Sequence, residues 1–300
     1  MSNSHQRLKQ NIPWLMMFLP VAIYFVMFKY VPMGGLMIAF KNYHILHGIW
    51  GSEWVGFKNF TMLFTDPAAI TTIRNTLMIS VLSILVGFPF PIILAILFNE
   101  ARKMWFRKTV QTLLYLPHFL SWVIVGGIVI TMFSQETGVM NAIWEKLTGS
   151  TYPFLYQEGS WLAIFLGSGV WKEAGFGAII YMAALANVDP HLYEAANLDG
   201  ANKWKQIVHV TLPGITPIIV LMLILAMGRV MEVGFDQVYI LQNPVVSNIS
   251  EVISTYIYRI GLQGMQFSVT TAMGMFEALI GLVLVLLANS FARRFGQGLW

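Results

Sequence analysis

Four charged side chains, Lys172, Glu173, Arg229 and Glu232, stand inside long apolar runs of this sequence. A charge near the middle of a membrane span costs about 2.5–3.5 kcal/mol on insertion scales, so each should face protein or a water-filled cavity. Lys172 and Glu173 are adjacent and point about 100° apart on a helix, which argues against simple face-to-face neutralisation. Arg229 and Glu232 are three apart, so on a helix they would meet on one face. Together with Trp171 these residues are candidates for a polar solute path, able to hydrogen-bond and to stack. The alternative reading is ion pairing between helices that fixes their packing. Catalytic chemistry is poorly supplied. The chain has no cysteine, which excludes thiol catalysis and thiolate metal sites. Its six histidines share no helical face, and only His44 and His47 approach a ligand spacing, so no metal site is expected. No Gly-x4-Gly-Lys-Ser/Thr sequence is present, so the chain has no P-loop of its own.

The elements that must position these charges follow from composition. Of the 300 residues, 57% are hydrophobic and 11% charged, against roughly 25% charged in a soluble domain. So few charges cannot cover a water-facing surface, and the expected class is an all-α integral membrane protein in one domain, 1–300. A span needs about 20 apolar residues. Six segments qualify, near 13–40, 74–98, 112–133, 161–186, 214–235 and 271–292. The first is too long for a signal-peptide core, and no small-x-small cleavage site follows it, so it reads as a retained span. Pro32, Pro89, Pro91 and Pro117 are expected to kink or interrupt their helices.

Positive charge orients the spans. Arg7 and Lys9, the cluster Arg102, Lys103, Arg107 and Lys108, then Lys203 and Lys205, and finally Arg293 and Arg294 lie on alternate connections and tails. The opposite connections are longer yet hold only Lys41, Lys58, Arg74, Lys146 and Arg259. Positive residues are retained on the cytoplasmic side, so both termini and the 99–111 and 187–213 loops are expected inside, and 41–73, 134–160 and 236–270 outside. The outer segments are aromatic: Trp50, Trp54, Phe57, Phe60, Trp144, Tyr152 and Tyr156 fit interfacial belts, or a docking surface for an external partner.

The 187–213 loop has a design of its own. Asp189-Pro190 predicts an N-cap followed by proline at the first helical position. Residues 190–198 suit a helix, and Gly200 sits where a left-handed residue would end it. A second short helix carrying Trp204, Ile207 and Val208 should follow, with Pro213 at the start of the fifth span. Small residues let such a turn approach a partner closely, and the carboxylate of Glu194 gives it register.

Glu194-Ala195-Ala196, Gly200 six positions after the Glu, and Val210-x-Leu212-Pro213 resemble the "EAA" loop. That loop marks the permease subunits of bacterial binding-protein-dependent, ATP-driven (ABC) importers; the usual Ile is Val210 here. The resemblance implies six transmembrane helices in the type I importer fold, with this loop as a pair of coupling helices seated in a cleft of a separate ATPase. Glu194, Ala195, Ala196, Asp199, Gly200, Ala201, Leu212 and Pro213 are then the coupling residues. It also implies partners: a second, similar permease subunit or a second copy, two ATPase subunits that carry the ATP and Mg, and an extracellular solute-binding protein. The expected location is the bacterial plasma membrane.

Further stretches resemble the carbohydrate branch of that family, among them Gly56-Phe57-Lys58-Asn59-Phe60 and Arg74-Asn75-Thr76-Leu77. Gly234-Phe235-Asp236-Gln237, Gln242-Asn243-Pro244 and Ser254-Thr255-Tyr256-Ile257-Tyr258-Arg259 are similar to a subgroup for complex oligosaccharides and polysaccharide fragments. The expected function is import of such sugars by alternating access. A permease of the same class for another solute is the alternative. An ion-coupled secondary transporter would need no motor-docking loop, and a membrane enzyme would need a nucleophile–base constellation that the sequence does not supply.

Overall fold

The structure, a computed structural model, describes residues 2–294. Side-chain surroundings are described from Asn11 onward, Pro13 apart, so the tail charges Arg7 and Lys9 and residues 295–300 lie outside the description, and with them the expected inner placement of both ends. The elements that matter are α1 (Trp14–Phe40), a hairpin of β1 (Lys41–Asn42) and β2 (Glu53–Trp54), α2 (Lys58–Thr65), α3 (Pro67–Glu100), α4 (Met104–Phe119), α5 (Trp122–Phe133), α6 (Val139–Thr148), α7 (Glu158–Leu185), α8 (Pro190–Leu198), α9 (Lys203–Gly228), α10 (Phe235–Leu241) and α11 (Phe267–Arg293). Five of these, α1, α3, α7, α9 and α11, are long and apolar enough to span a membrane, and α4 with α5 makes a sixth if the bent pair is one span.

Two expectations from the sequence are corrected, and the interruption expected at Pro117 is seen as a sharp bend just after it. The segment 112–133 is not one straight helix: α4 and α5 meet at 104°. Pro117 lies in a 3₁₀ turn, Leu120 and Ser121 are extended, and the Ser121 hydroxyl then caps α5 by accepting from the Ile124 N–H. The fifth span ends at Gly228 rather than near 235, and Arg229 to Gly234 run unwound before α10. The freed Val233 carbonyl accepts from the Ser254 hydroxyl at 3.2 Å, so the unwound backbone is satisfied inside the protein, as a membrane interior requires. Finally, the helix after Gly200 is not a separate short piece. It continues as α9 from Lys203 through Pro213.

That continuity depends on a device used twice. A proline removes one backbone donor and crowds the carbonyl one turn before it. In α9 a π-turn over Ile207–Thr211 stands directly before Leu212-Pro213, and the Leu212 N–H reaches back to the Ile207 carbonyl. In α1 a π-turn over Val26–Tyr30 stands before Val31-Pro32, with the Val31 N–H on the Val26 carbonyl. The wider turn lets each helix pass its proline without stopping.

The described chain divides into two compact units, Met1–Asp66 with Arg259–Met275, and Pro67–Tyr258 with Phe276–Trp300. In the first, the Lys41 ammonium is buried on the carbonyls of Ile49 (2.8 Å) and Ser52 (3.3 Å), and Phe40 stacks on Trp54. In the second, one core gathers Ile79, Trp161, Phe165, Val238 and Leu241, and another gathers Ala95, Phe98, Ala178, Tyr181, Leu185 and Ile215. The Trp161 indole donates to the Leu241 carbonyl at 2.8 Å, fixing α10 against α7. Gly175 permits α7 to approach α4: a Cβ there would collide with the Leu114 carbonyl oxygen.

Candidate functional site

Two places in the Pro67–Tyr258 unit bring the sequence candidates together. The first is the turn between α8 and α9. The Asp189 carboxylate accepts from the His191 N–H at 2.9 Å, which caps α8 as expected. At the other end the Gly200 N–H bonds the Asn197 carbonyl (3.1 Å) and the Ala201 N–H bonds the Ala196 carbonyl (2.9 Å). This double bond pattern is a Schellman motif, and it needs a left-handed residue; Gly200 supplies one with φ of +75°. A Cβ at Gly200 would meet nothing within 4 Å in this chain, so the conformation, not local crowding, calls for glycine.

The turn presents its chemistry outward. Glu194, Ala195, Asp199 and Gly200 are exposed, and Ala196, Ala201 and Leu212 are partly covered; Pro213 is exposed on α9. Among the described residues Glu194 has one ion-pair contact, His191 at 3.2 Å, and both side chains are in the open. Two apolar residues stand out beside them: Leu198 is 90% exposed and Trp204 is 72% exposed. Leu198 did not stand out in the sequence, because a leucine at the end of an amphipathic helix reads as core.

The turn is held from behind. Gln206 is buried and donates to Asn197 Oδ1 at 2.6 Å and to the Ala201 carbonyl at 3.2 Å. The Tyr193 hydroxyl and Thr211 Oγ1 lie 3.1 Å apart, and Lys203 reaches Glu100 Oε2, at the end of α3, at 3.0 Å. Gln206 carried no signal in the sequence; its role exists only once α8 has folded back along α9.

The second place is a cavity of about 470 Å³ lined by α3, α5, α7, α10 and the unwound segment. Glu173, Arg229 and Glu232 line it, together with Ser80, Ser83, Gln237, Trp122 and Phe176. Unwinding changes the relation of Arg229 to Glu232. They do not pair on a helical face, and neither has an ion-pair partner among the described residues. Gln237 is fixed by donating to the Phe165 carbonyl (2.7 Å) and to Ser168 Oγ (3.2 Å).

Lys172 and Trp171 are not in the cavity wall. Lys172 is buried, and its ammonium donates to the carbonyls of His118 (2.7 Å), Leu120 (2.9 Å) and Pro117 (3.5 Å) at the α4–α5 bend. It also comes within 3.6 Å of Glu173 Oε1: two flexible side chains close the distance that their Cβ directions open. Glu173 has a closer partner in His118 Nδ1, at 2.8 Å, and the His118 ring stacks on Phe176 with centroids 3.9 Å apart. Trp171 is 42% exposed on α7. The cavity thus offers carboxylates, a guanidinium, hydroxyls, an amide and aromatic rings. That is equipment for holding a hydroxyl-rich solute, since each solute hydroxyl both donates and accepts. Among the described residues no group of three or more His, Asp or Glu side chains can hold a metal ion.

The chain is similar to known proteins over most of its length. Residues 87–300 match the family described as "Binding-protein-dependent transport system inner membrane component". The polygalacturonan/rhamnogalacturonan transport system permease protein YteP of Bacillus subtilis (strain 168) is 46% identical, over 94% of this chain and 88% of that protein. A chain in the crystal structure of a bacterial ABC transporter involved in the import of the acidic polysaccharide alginate superposes with a TM-score of 0.91 at 43% identity, covering 98% of this chain and 99% of its own. A chain of the bacterial alginate ABC transporter, solved in complex with alginate pentasaccharide-bound periplasmic protein, matches with the same TM-score and identity over 98% of each.

Proposed function

This chain belongs to the family of binding-protein-dependent transport system inner membrane components, a family of non-enzymatic permease subunits, and from that premise we propose that it carries oligosaccharides or polysaccharide fragments into the bacterial cytoplasm. The observation that carries the reading is the capped turn at Gly200, which exposes Glu194, Leu198 and Trp204 on a framework buried behind it. The exposed tryptophan is a residue type enriched at binding hot spots, the leucine beside it adds apolar surface, and the carboxylate offers a charged register contact. A separate ATPase seats on this turn. Because α9 is continuous from Lys203 to Gly228, a push on the turn is delivered along one helix to the cavity floor at Arg229. ATP and Mg belong to that partner, and both ends of the chain face the cytoplasm with it.

The sugar reading draws support from the polar and aromatic cavity wall and from relatives of matched length named for polygalacturonan and alginate transport. Glu173, Arg229, Glu232, Trp122 and Phe176 form the substrate path. A second permease subunit completes the path, and a solute-binding protein delivers the sugar from outside. Purification in mild detergent with identification of co-purifying chains, followed by a sugar-binding screen of the recovered solute-binding protein, tests this. Recovery of an ATPase and a sugar-specific binding protein is expected; a binding protein specific for amino acids or peptides overturns the substrate class.

A further inference from the structure

The unit Met1–Asp66 with Arg259–Met275 contains a separate polar pocket of about 300 Å³. Asn42, Tyr43, Lys58 and Asn59 line one side, and Gln266 and Ser268, at the start of α11, line the other. Resting on the oligosaccharide reading above, we propose that this pocket is a second sugar subsite, one that holds part of a longer oligosaccharide on the outer side of the membrane.

The argument starts from Asn59, which is 94% buried: its relative exposure is 6%. Its amide nitrogen donates to the carbonyls of Ala39 (2.8 Å) and Lys41 (3.0 Å). Those two bonds fix the side-chain orientation and leave Oδ1, which accepts no bond from the described residues, as a rigid acceptor in the pocket wall. Donors surround it. The Lys58 ammonium is exposed and makes no ion pair among the described residues, and the first-turn N–H groups of α11 have no intrahelical acceptor. The amides of Asn42 and Gln266 each supply both kinds of group. Ser268 Oγ already accepts from the Tyr43 N–H at 2.9 Å, which ties the two walls together and leaves its own proton to donate.

A fixed acceptor set among donors suits a ligand whose groups both give and take hydrogen bonds. Sugar hydroxyls do, whereas a simple anion would meet Asn59 Oδ1 as a repulsive neighbour. The Tyr43 and Phe267 rings, edge to face at 5.9 Å, add apolar surface for the C–H face of a sugar ring. At about 300 Å³ the pocket stands at the small end of ligand sites, room for a short sugar segment and not a whole chain. The charge pattern puts 41–73 and 236–270 outside, the side from which substrate arrives.

The test uses the complete importer in proteoliposomes with saturating solute-binding protein. Lys58→Ala, Gln266→Ala and the double variant are compared with wild type for uptake of oligogalacturonides and oligoalginates graded from dimer to pentamer. Both side chains are exposed and hold no other element, so folding is preserved. The double variant should raise KM for pentamers about tenfold, the worth of one or two hydrogen bonds, with kcat and dimer uptake unchanged. Unchanged pentamer uptake overturns the subsite and leaves the transport reading standing. Wild-type uptake of no sugar in either series overturns the transport reading itself. If the variants instead lower ATPase stimulation by sugar-free binding protein, the pocket seats that protein and the sugar subsite is overturned.

Discussion

The Lys172 ammonium lies 2.7 Å from the carbonyl oxygen of His118, and this contact explains a charge buried within α7. The 104° bend between α4 and α5 breaks the helical ladder and opens the carbonyls of His118 and Leu120 to the ammonium, with the Pro117 carbonyl, already bonded to the Leu120 N–H, at its edge. One ammonium with three protons serves all of them. Lys172→Met should therefore destabilise the subunit by about 1.5–3 kcal/mol, the range for hydrogen bonds to a charged group. Thermal unfolding of the purified importer reads the loss, and the protein that remains folded should keep the wild-type KM for sugar.

Arg229 and Glu232 face the cavity from unwound backbone without pairing with each other. Arg229→Ala and Glu232→Gln should each raise KM for uptake about tenfold, as expected for one lost substrate hydrogen bond, and leave ATPase activity of the assembled complex unchanged. Uptake kinetics beside ATP hydrolysis on the same vesicles make the comparison.

Gln206 holds the Gly200 turn from inside through Asn197 Oδ1 and the Ala201 carbonyl. Gln206→Leu leaves these acceptors unpaired, at about 1–3 kcal/mol. The expected result is faster amide hydrogen exchange over residues 190–202 and uptake reduced several-fold, with the ATPase still bound on co-purification.

The Lys203–Glu100 pair, at 3.0 Å, is a different case, because the lysine side chain is 66% exposed. Exposed pairs contribute about 0–1 kcal/mol. Glu100→Gln and Lys203→Gln should each leave uptake within about twofold of wild type, since so little free energy is at stake. A large loss in both would mean the pair transmits force between α3 and the turn.

The sequence was most legible where local rules decide the outcome. Asp189, Pro190 and Gly200 are read by their own backbone preferences, and the structure places cap, helix and left-handed turn at those residues. Apolar runs located the membrane-length helices because length and composition alone define them. What escaped depends on contacts distant in sequence. Nothing near Lys172 announces that His118 and Leu120 will lie open beside it, and nothing near Glu173 announces His118. The end of α9 at Gly228 was hidden for the same reason. An apolar run continues through Val230, Met231 and Val233, yet the helix ends at Gly228, and the Ser254 hydroxyl takes the Val233 carbonyl within the unwound stretch that follows. The π-turns before Pro32 and Pro213 show the converse: proline signals a disturbance, but whether the helix stops or widens is settled by its surroundings.

The coupling role of the Gly200 turn is tested most directly by the ratio of ATP hydrolysed to sugar imported in proteoliposomes holding the complete importer. Gly200→Val forces a β-branched residue into a left-handed conformation that costs roughly 1–2 kcal/mol, and Glu194→Lys reverses the exposed charge beside it. In both variants the permease should insert and assemble, ATP hydrolysis should continue, and uptake per ATP should fall at least about tenfold, the factor that a coupling loss of 1.4 kcal/mol represents. Wild-type uptake per ATP in both variants would contradict the assignment.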